Sequence, residues 1–543
     1  MKKSHIIALL VLALIFIANA TFYHYHSGYR SFMFVNADDA YISMRYAQNF
    51  AEGHGLRWNI GEPPVEGYTN FLWVMLLAPA AMLGIDMALW ANILGMASAV
   101  AGMVLAYFVA NEFDSRGRYN LAGLITVFFL SFNPSYVFWA GTGMESSLFA
   151  MLLLMGIFLY LREGADRSKY VAASIVLALA SLVRPEGPLF FGLAVLHMCF
   201  WQYIRQRRLD APALLCMVLP FCLIIVPHYL WRLDYYGYIF PNTYYAKTGA
   251  NNPGVPGGIQ YVIRFLRGNP CSLGLLLTVL FFSRYTFELS LIYVCVLAYT
   301  AYVIVVGGDW MPFNRFFLPI LPWFAVCFAL LVSRPLGYVL ERQKALTRRL
   351  FLLAAAFALV FYLNGRNLYT SAHRVAYMTK QHASILVSIG LHIGRNYPPD
   401  SVVAILPAGA IPYYSGFKAI DMLGLNDVHI AHLEEPNLGG LNMDDTSIAP
   451  FLGSGHCKTD IPYVLAKKPT LLIGAPDLTL SPETPSRHNV EELFKDYDRE
   501  EYELAADKLT LPGNPFFDRG IYLRYLRRRS PREGSPTATD SSQ

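Results

Sequence analysis

Residues 36–58 read NADDAYISMRYAQNFAEGHGLRW, and the fold turns on why two adjacent carboxylates, Asp38 and Asp39, stand here. They follow a basic start, Lys2 and Lys3, and an apolar run that continues through Phe22 and Tyr23. Directly after them Ala40, Met44, Ala47 and Ala51 fall on one face at helical spacing, and Gly53 and Gly55 stop the pattern. That reads as an amphipathic helix lying in a membrane interface. Arg45, seven residues after Asp38, shares its face two turns along. Capping a helix needs one carboxylate, and neighbouring residues point different ways. The second acid is therefore left for chemistry.

Composition fixes the class. Of 543 residues, 55% are apolar and only 15% charged, and the mean hydropathy is +0.37; soluble globular chains carry about 25% charged residues. Apolar runs recur from residue 6 to residue 364, so the chain reads as an α-helical polytopic membrane protein. Ala18-Asn19-Ala20 fits a signal-cleavage site, but the apolar character continues past it, which favours an uncleaved first membrane helix. Basic clusters at Lys2-Lys3, Arg116/Arg118, Arg162/Arg167/Lys169, Arg205/Arg207/Arg208 and Arg342 through Arg349 are assigned to the cytoplasm. LGID (83–86) divides the long run 71–110 into a short or re-entrant helix and a full span. The alternation then gives about eleven crossings. Segments 24–70, 131–146, 184–188, 232–270, 307–316 and all after 364 face outward.

After 364 the chain is more polar. Residues 376–395 read as a helix, SVVAIL (401–406) and TLLIG (470–474) as buried strands, and PAGAIPYYSG as turn chemistry. The division is thus a transmembrane module 1–364 with outer loop 24–70, an outer soluble α/β domain 365–525, and a disordered tail 526–543, basic and then Ser/Pro/Thr-rich. Of seven cysteines only Cys457 lies in polar sequence, so no disulfide framework is expected; no CxxC or HExxH metal pattern occurs.

The polar constellations fall on the outward segments. Glu66, Tyr68 and Asn70 stand in VEGYTN, Glu145 in GMESS and Arg184 in RPEG, where Pro185 stops the helix. His228, Asn242, Tyr245 and Lys247 lie in the aromatic-dense PHYLWRLDYYGYIFPNTYYAKTG (227–249). Asp309, Trp310 and Arg315 lie in GGDWMPFNRFFLPILP (307–322), and Asp427 in GLND, with His456 and Lys458 in GHCK, extends over the acceptor. A lipid-linked anionic sugar needs this set. Its phosphate needs Arg or Lys at headgroup depth. Its sugar needs aromatic platforms, and an attacking hydroxyl needs a carboxylate base.

These motifs, in this order from about residue 36 to 470, resemble the GT-C superfamily of polyprenyl-phosphate-dependent glycosyltransferases, most nearly the mycobacterial terminal β-(1→2)-arabinofuranosyltransferase group. The resemblance implies an integral-membrane fold with an extracytoplasmic active site in a bacterial plasma membrane. It implies a decaprenyl-phosphoryl-arabinofuranose donor and catalysis by Asp38 or Asp39. Arg184, Arg315, Lys247 and Arg45 would then stabilise the departing phosphate. With that cationic help no cofactor or divalent metal is required, although related oligosaccharyl enzymes use a metal ion. The partners are the lipid-linked donor, a cell-envelope glycan acceptor and the bilayer, with no nucleic acid. Two rival classes are a lipid-linked-sugar flippase and a non-catalytic assembly protein. A transporter places its ionisable residues near the midplane with repeat symmetry, whereas here they gather at one face.

Overall fold

The computed structural model describes residues 3–25, 37–114, 120–162, 166–248, 254–269, 272, 274–275, 286–309, 311–343, 345–362, 371–434, 458–486, 489–509 and 520–529. Helices dominate up to residue 362 and a mixed sheet follows. The helices are α1 (Lys3–Tyr25), α2 (Asp38–Ala51), α3 (Phe71–Met82), α4 (Met87–Phe113), α5 (Leu121–Ser131), α6 (Pro134–Trp139), α7 (Ser146–Leu161), α8 (Ser168–Val183), α9 (Gly187–Gln206), α10 (Ala211–Tyr236), α11 (Asn242–Lys247), α12 (Gly254–Gly268) and α13 (Thr286–Val305). A 3-10 turn (Pro312–Ile320) leads into α14 (Leu321–Arg342), and α15 (Leu346–Val360) closes the helical module.

Among the described residues, five helices are long and apolar enough to cross a membrane: Met87–Phe113, Gly187–Gln206, Ala211–Tyr236, Phe287–Val305 and Pro312–Arg342. Five shorter apolar helices, among them α3, fall below the ~20 residues of a straight span. LGID does divide α3 from α4, with Asp86 capping α4 by accepting the Leu89 N–H at 2.8 Å. Helix α1 docks through Phe16 and Ala20, both fully buried, and through Asn19, whose side chain donates to the Ser131 carbonyl.

The two ends of the bundle differ. At one end Arg167 pairs with Asp210, which caps α10, and Asp114 pairs with Arg334. These residues border the segments that charge placement assigns to the cytoplasm. The other end carries α2 and the loops read as outward, and the C-terminal part packs over it.

That part opens with α16 (Ser371–Asn396), which buries Leu386, Ile389 and Ile393 along one face. Strands β1 (Val402–Ile405), β2 (Lys418–Asp421), β3 (Leu471–Thr479), β4 (Tyr502–Leu509) and β5 (Ile521–Arg528) form one sheet in the order β2-β1-β3-β5-β4. β1 is parallel to β2 and β3, whereas β5 is antiparallel to β3 and β4. Two short helices, α17 (Ala410–Ser415) and α18 (Val428–Ala431), follow the carboxyl ends of β1 and β2. Those ends meet the helical module, the edge at which open α/β sheets bind ligands. Strand β5 runs to Arg528, three residues into the segment that composition assigns to the tail; its apolar side chains alternate with arginines that pair with Asp477, Glu503 and Glu501. The tail from 530 onward, Cys457, Trp310 and His456 lie outside the described residues.

Candidate active site

Helix α2 is not an interfacial helix. Ala40 through Ala47 and Asn49 are all buried, because protein surrounds the helix: α3 packs against it and the C-terminal domain covers the face of Asp38 and Arg45. Asp38 and Arg45 do share one face, and that face binds the domain. Asp38 accepts the Gly409 N–H at 3.2 Å and the Ala410 N–H at 2.7 Å, on separate oxygens. The approach requires glycine, since a Cβ on Gly409 would fall 1.9 Å from the Asp38 carbonyl oxygen. Burial pushes the Asp38 carboxyl up to about 7 against these two hydrogen bonds, with Asp39 and Asp421 adding to the rise.

Arg45 donates to the carbonyls of Trp58, Pro412 and Phe417 and to Asn59 Oδ1, with Trp58 under its guanidinium at 4.6 Å. Its donors are thus spent on protein. The sequence expectation that it holds a donor phosphate is corrected to a structural tie between α2 and the C-terminal domain.

Asp39, one position and about 100° around the helix, faces the other way. Its electrostatic partners are Arg315, Lys247, Asp309 and Glu145. They arrive from three separate segments, all read as outward: Glu145 from 131–146, Lys247 from 232–270, and Asp309 with Arg315 from 307–316. Arg315 Nε bonds Asp309 Oδ2 at 2.7 Å, and its guanidinium sits 5.7 Å from the Trp139 ring centre. Two consecutive left-handed residues, Phe313 (φ 59) and Asn314 (φ 50), set the loop that delivers it. Such a pair is costly for L-residues and is held by neighbours: the Ser135 hydroxyl donates to the Phe313 carbonyl, and the Tyr261 hydroxyl accepts the Phe316 N–H.

Arg184 is paired twice, to Glu145 at 2.7 Å and to Glu186 at 2.8 Å. Asn70 bonds the other oxygen of Glu145 and is itself held by Ser43 of α2. In this company Asp39 and Lys247 make no hydrogen bond or ion pair among the described residues. Lys247 is accessible to solvent and feels the charges of Asp39, Arg315, Asp309 and Arg184. Burial raises the proton affinity of Asp39 more than Arg315 and Lys247 lower it, and burial lowers that of Lys247. Among the described residues no three His, Cys, Asp or Glu side chains gather as a metal-holding group.

The remaining sequence candidates stand apart from this cluster. Glu66 is spent on a buried pair with Arg232 at 2.7 Å, and burial pushes its carboxyl up to about 7. Tyr68 stacks on Tyr46 and meets the Tyr236 hydroxyl at 3.2 Å. His228 packs between Phe71 and Trp231. Asn242 donates to the carbonyls of Gly424, Leu425 and Asp427, holding the loop after β2. Asp427 caps α18 and pairs with Lys467. Lys458 donates to the carbonyls of Tyr245 and Ala431. Of these side chains, Asn242 and Lys458 tie the C-terminal domain to the helical module. Glu186 and Asp421 went unread although both lie in quoted motifs, RPEG and IDMLGLNDVHIAH. The available signal was a carboxylate two residues from Arg184, and an acid closing strand β2.

Comparison with known proteins places this arrangement. A family model described as a domain of unknown function (DUF8728) matches residues 372–519, which contain α16 and the first four strands. Over 248 residues the chain is 31% identical to the terminal beta-(1->2)-arabinofuranosyltransferase of Mycobacterium tuberculosis (strain ATCC 25618 / H37Rv). That match covers 42% of this chain and 38% of the relative's length. The crystal structure of ArnT from Cupriavidus metallidurans bound to undecaprenyl phosphate superposes with a TM-score of 0.58 at 12% identity, over 94% of this chain and 97% of that one. The chain has the GT-C fold. A second GT-C protein, the archaeal oligosaccharyltransferase AglB from Archaeoglobus fulgidus in complex with an inhibitory peptide and a dolichol-phosphate, gives a TM-score of 0.55 at 13% identity, over 87% of this chain and 69% of that one. At such identities the likeness is one of fold, and the relatives that carry the GT-C fold are glycosyltransferases.

Proposed function

We propose that the protein transfers a sugar, arabinofuranose by its similarity, from a polyprenyl-phosphate donor to a cell-envelope glycan. The reading keeps about eleven membrane crossings and places the reaction on the extracytoplasmic side of a bacterial plasma membrane. The observation that carries it is the uncommitted pair, Asp39 and Lys247, set among charges that are otherwise paired. The two groups interact electrostatically without a hydrogen bond or ion pair between them, so both are available to a substrate. The relative that was solved with undecaprenyl phosphate and shares this fold supports the donor class.

Asp39 takes the proton of the acceptor hydroxyl as that oxygen attacks the anomeric carbon. The carbon–oxygen bond to phosphate breaks, and its electron pair leaves on polyprenyl phosphate. Lys247, and Arg315 with part of its charge already spent on Asp309, meet the growing negative charge; this accelerates the step only so far as they bind the product phosphate better than the ester. Arg184 holds Glu145 and Glu186 in place to shape the sugar pocket. Asp38 positions Asp39 by fixing the start of α2 to the C-terminal domain.

The test is turnover of purified protein in nanodiscs with labelled polyprenyl-phosphoryl arabinofuranose, alongside hexose and aminosugar donors, and an arabinan acceptor. Transfer from the arabinofuranosyl donor that disappears in Asp39→Asn supports the reading. Near-normal transfer by that variant, correctly folded, would sink the assignment of the base.

A further inference from the structure

A separate cleft opens at the far end of α2, between the α3–α4 turn and α17. Its volume is about 450 Å³, inside the ~300–1,000 Å³ of small-ligand clefts. Gln48, Glu52, Ile85, Asp86, Tyr413 and Tyr414 line it, and no lining residue is cationic, so it offers nothing to a phosphate. Tyr413 and Tyr414 meet edge to face at 5.0 Å, and both rest on the fully buried Tyr41. The Tyr413 hydroxyl has no hydrogen-bond partner among the described residues and feels both Asp86 and Glu52. Asp86 commits one oxygen to the Leu89 N–H and Glu52 one to Gln48; the second oxygen of Glu52 lies 4.0 Å from His54 Nε2, outside hydrogen-bond distance.

Carboxylate and phenol oxygens beside aromatic faces are the groups that bind a neutral, polyhydroxylated chain: the oxygens take hydroxyl protons and the rings cover the apolar faces of sugars. We infer that this cleft is a second glycan subsite, holding the acceptor chain at a distance from its reacting end. The inference rests on the proposed transfer reaction. The cleft residues Gln48 and Glu52 follow Asp39 by nine and thirteen residues, about 14 to 20 Å along α2 at ~1.5 Å per residue and on its opposite side. A single sugar at Asp39 does not reach the cleft, and only a longer chain passing around α2 would, so a subsite here favours long acceptors.

The experiment measures binding of a fluorescently labelled linear arabinan hexasaccharide, and of the disaccharide, to nanodisc-embedded protein by thermophoresis. Asp39→Asn serves as the non-reacting background. Adding Tyr413→Ala or Glu52→Gln should raise the hexasaccharide Kd about tenfold or more and leave the disaccharide unchanged. Tyr413→Phe, which keeps the ring, should give a smaller loss. In the active protein the same changes should raise KM for the hexasaccharide alone, with kcat and disaccharide kinetics unaltered. Equal hexasaccharide binding in all variants overturns the inference. So does a cleft that instead binds tetramethylammonium in a Tyr413- and Glu52-dependent way, since that makes it a cation site. If no donor sugar is transferred but Tyr413-dependent hexasaccharide binding persists, the transfer reading fails and the subsite stands.

Discussion

Asp38 and Asp39 are chemically identical, and the surroundings separate them: two backbone amides hold the first, and side-chain charges that it does not bond surround the second. Exchange for asparagine should therefore have two different outcomes. Asp39→Asn should lower kcat by about 10²–10⁴, the usual worth of a general base, with the melting temperature unchanged and donor binding retained. Asp38→Asn turns an accepting oxygen toward a donor facing an amide donor. Its melting temperature should fall, with activity falling in step. Because the folded carboxyl of Asp38 titrates near 7 rather than near 3.8, its contribution to stability is full at low pH and is lost as pH rises through about 7. That slope should flatten in Asp38→Asn. Lys247→Met removes a charged contact worth ~1.5–3 kcal/mol, so kcat/KM should drop about 10- to 100-fold. Since burial raises the Asp39 carboxyl, the acid limb of kcat/KM should lie above the ordinary carboxylate range, with activity rising as the proton leaves. A bound anionic donor adds negative charge nearby, so the limb of kcat should lie higher still. A limb near pH 4 in both profiles would exclude Asp39 as the base.

Helix α2 shows how far an element can be read from its own residues. Periodicity placed it, put Asp38 with Arg45 and set Asp39 apart. It could not tell whether lipid or protein covers the outer face, because both demand small apolar side chains there. Arg45 was misread for the same reason: a guanidinium bonded to carbonyls and one bound to phosphate look alike in sequence. Arg45→Met should leave three carbonyls and Asn59 short of donors, at about 2–4 kcal/mol, and expose residues 397–434 to limited proteolysis, whereas a phosphate-binding role would raise the donor KM with no change in cleavage. The delivery of Arg315 also escaped reading, since no propensity rule anticipates two left-handed residues at Phe313 and Asn314. In the sheet, β1 and β3 were legible as short apolar runs between turn residues. β2, β4 and β5 were not, because Lys418, Asp507 and the arginines of β5 interrupt the apolar pattern, and Asp507 and those arginines find their partners far along the chain.

At the scale of the whole molecule the segments read as outward do converge at one end of the bundle, and the Arg167–Asp210 and Asp114–Arg334 pairs mark the other. Charge placement sorts loops into two sets but carries no distances, so the gathering of Asp39, Lys247, Asp309, Arg315 and Glu145 could only be hoped for as a group. Sidedness is open to direct measurement. With a membrane-impermeant thiol reagent on intact spheroplasts, His54→Cys should label and Arg208→Cys should react only after lysis; the reverse pattern would put the reaction on the wrong side for the proposed acceptor. The bonds from Asp38 to Gly409 and Ala410 join positions 371 and 372 residues apart. A ribosome therefore makes the acid long before it makes the amides that fix it. A nascent chain carries the charged residues without the geometry, and the proposed sugar transfer would begin only once the C-terminal domain has folded onto the loop that carries Asp38.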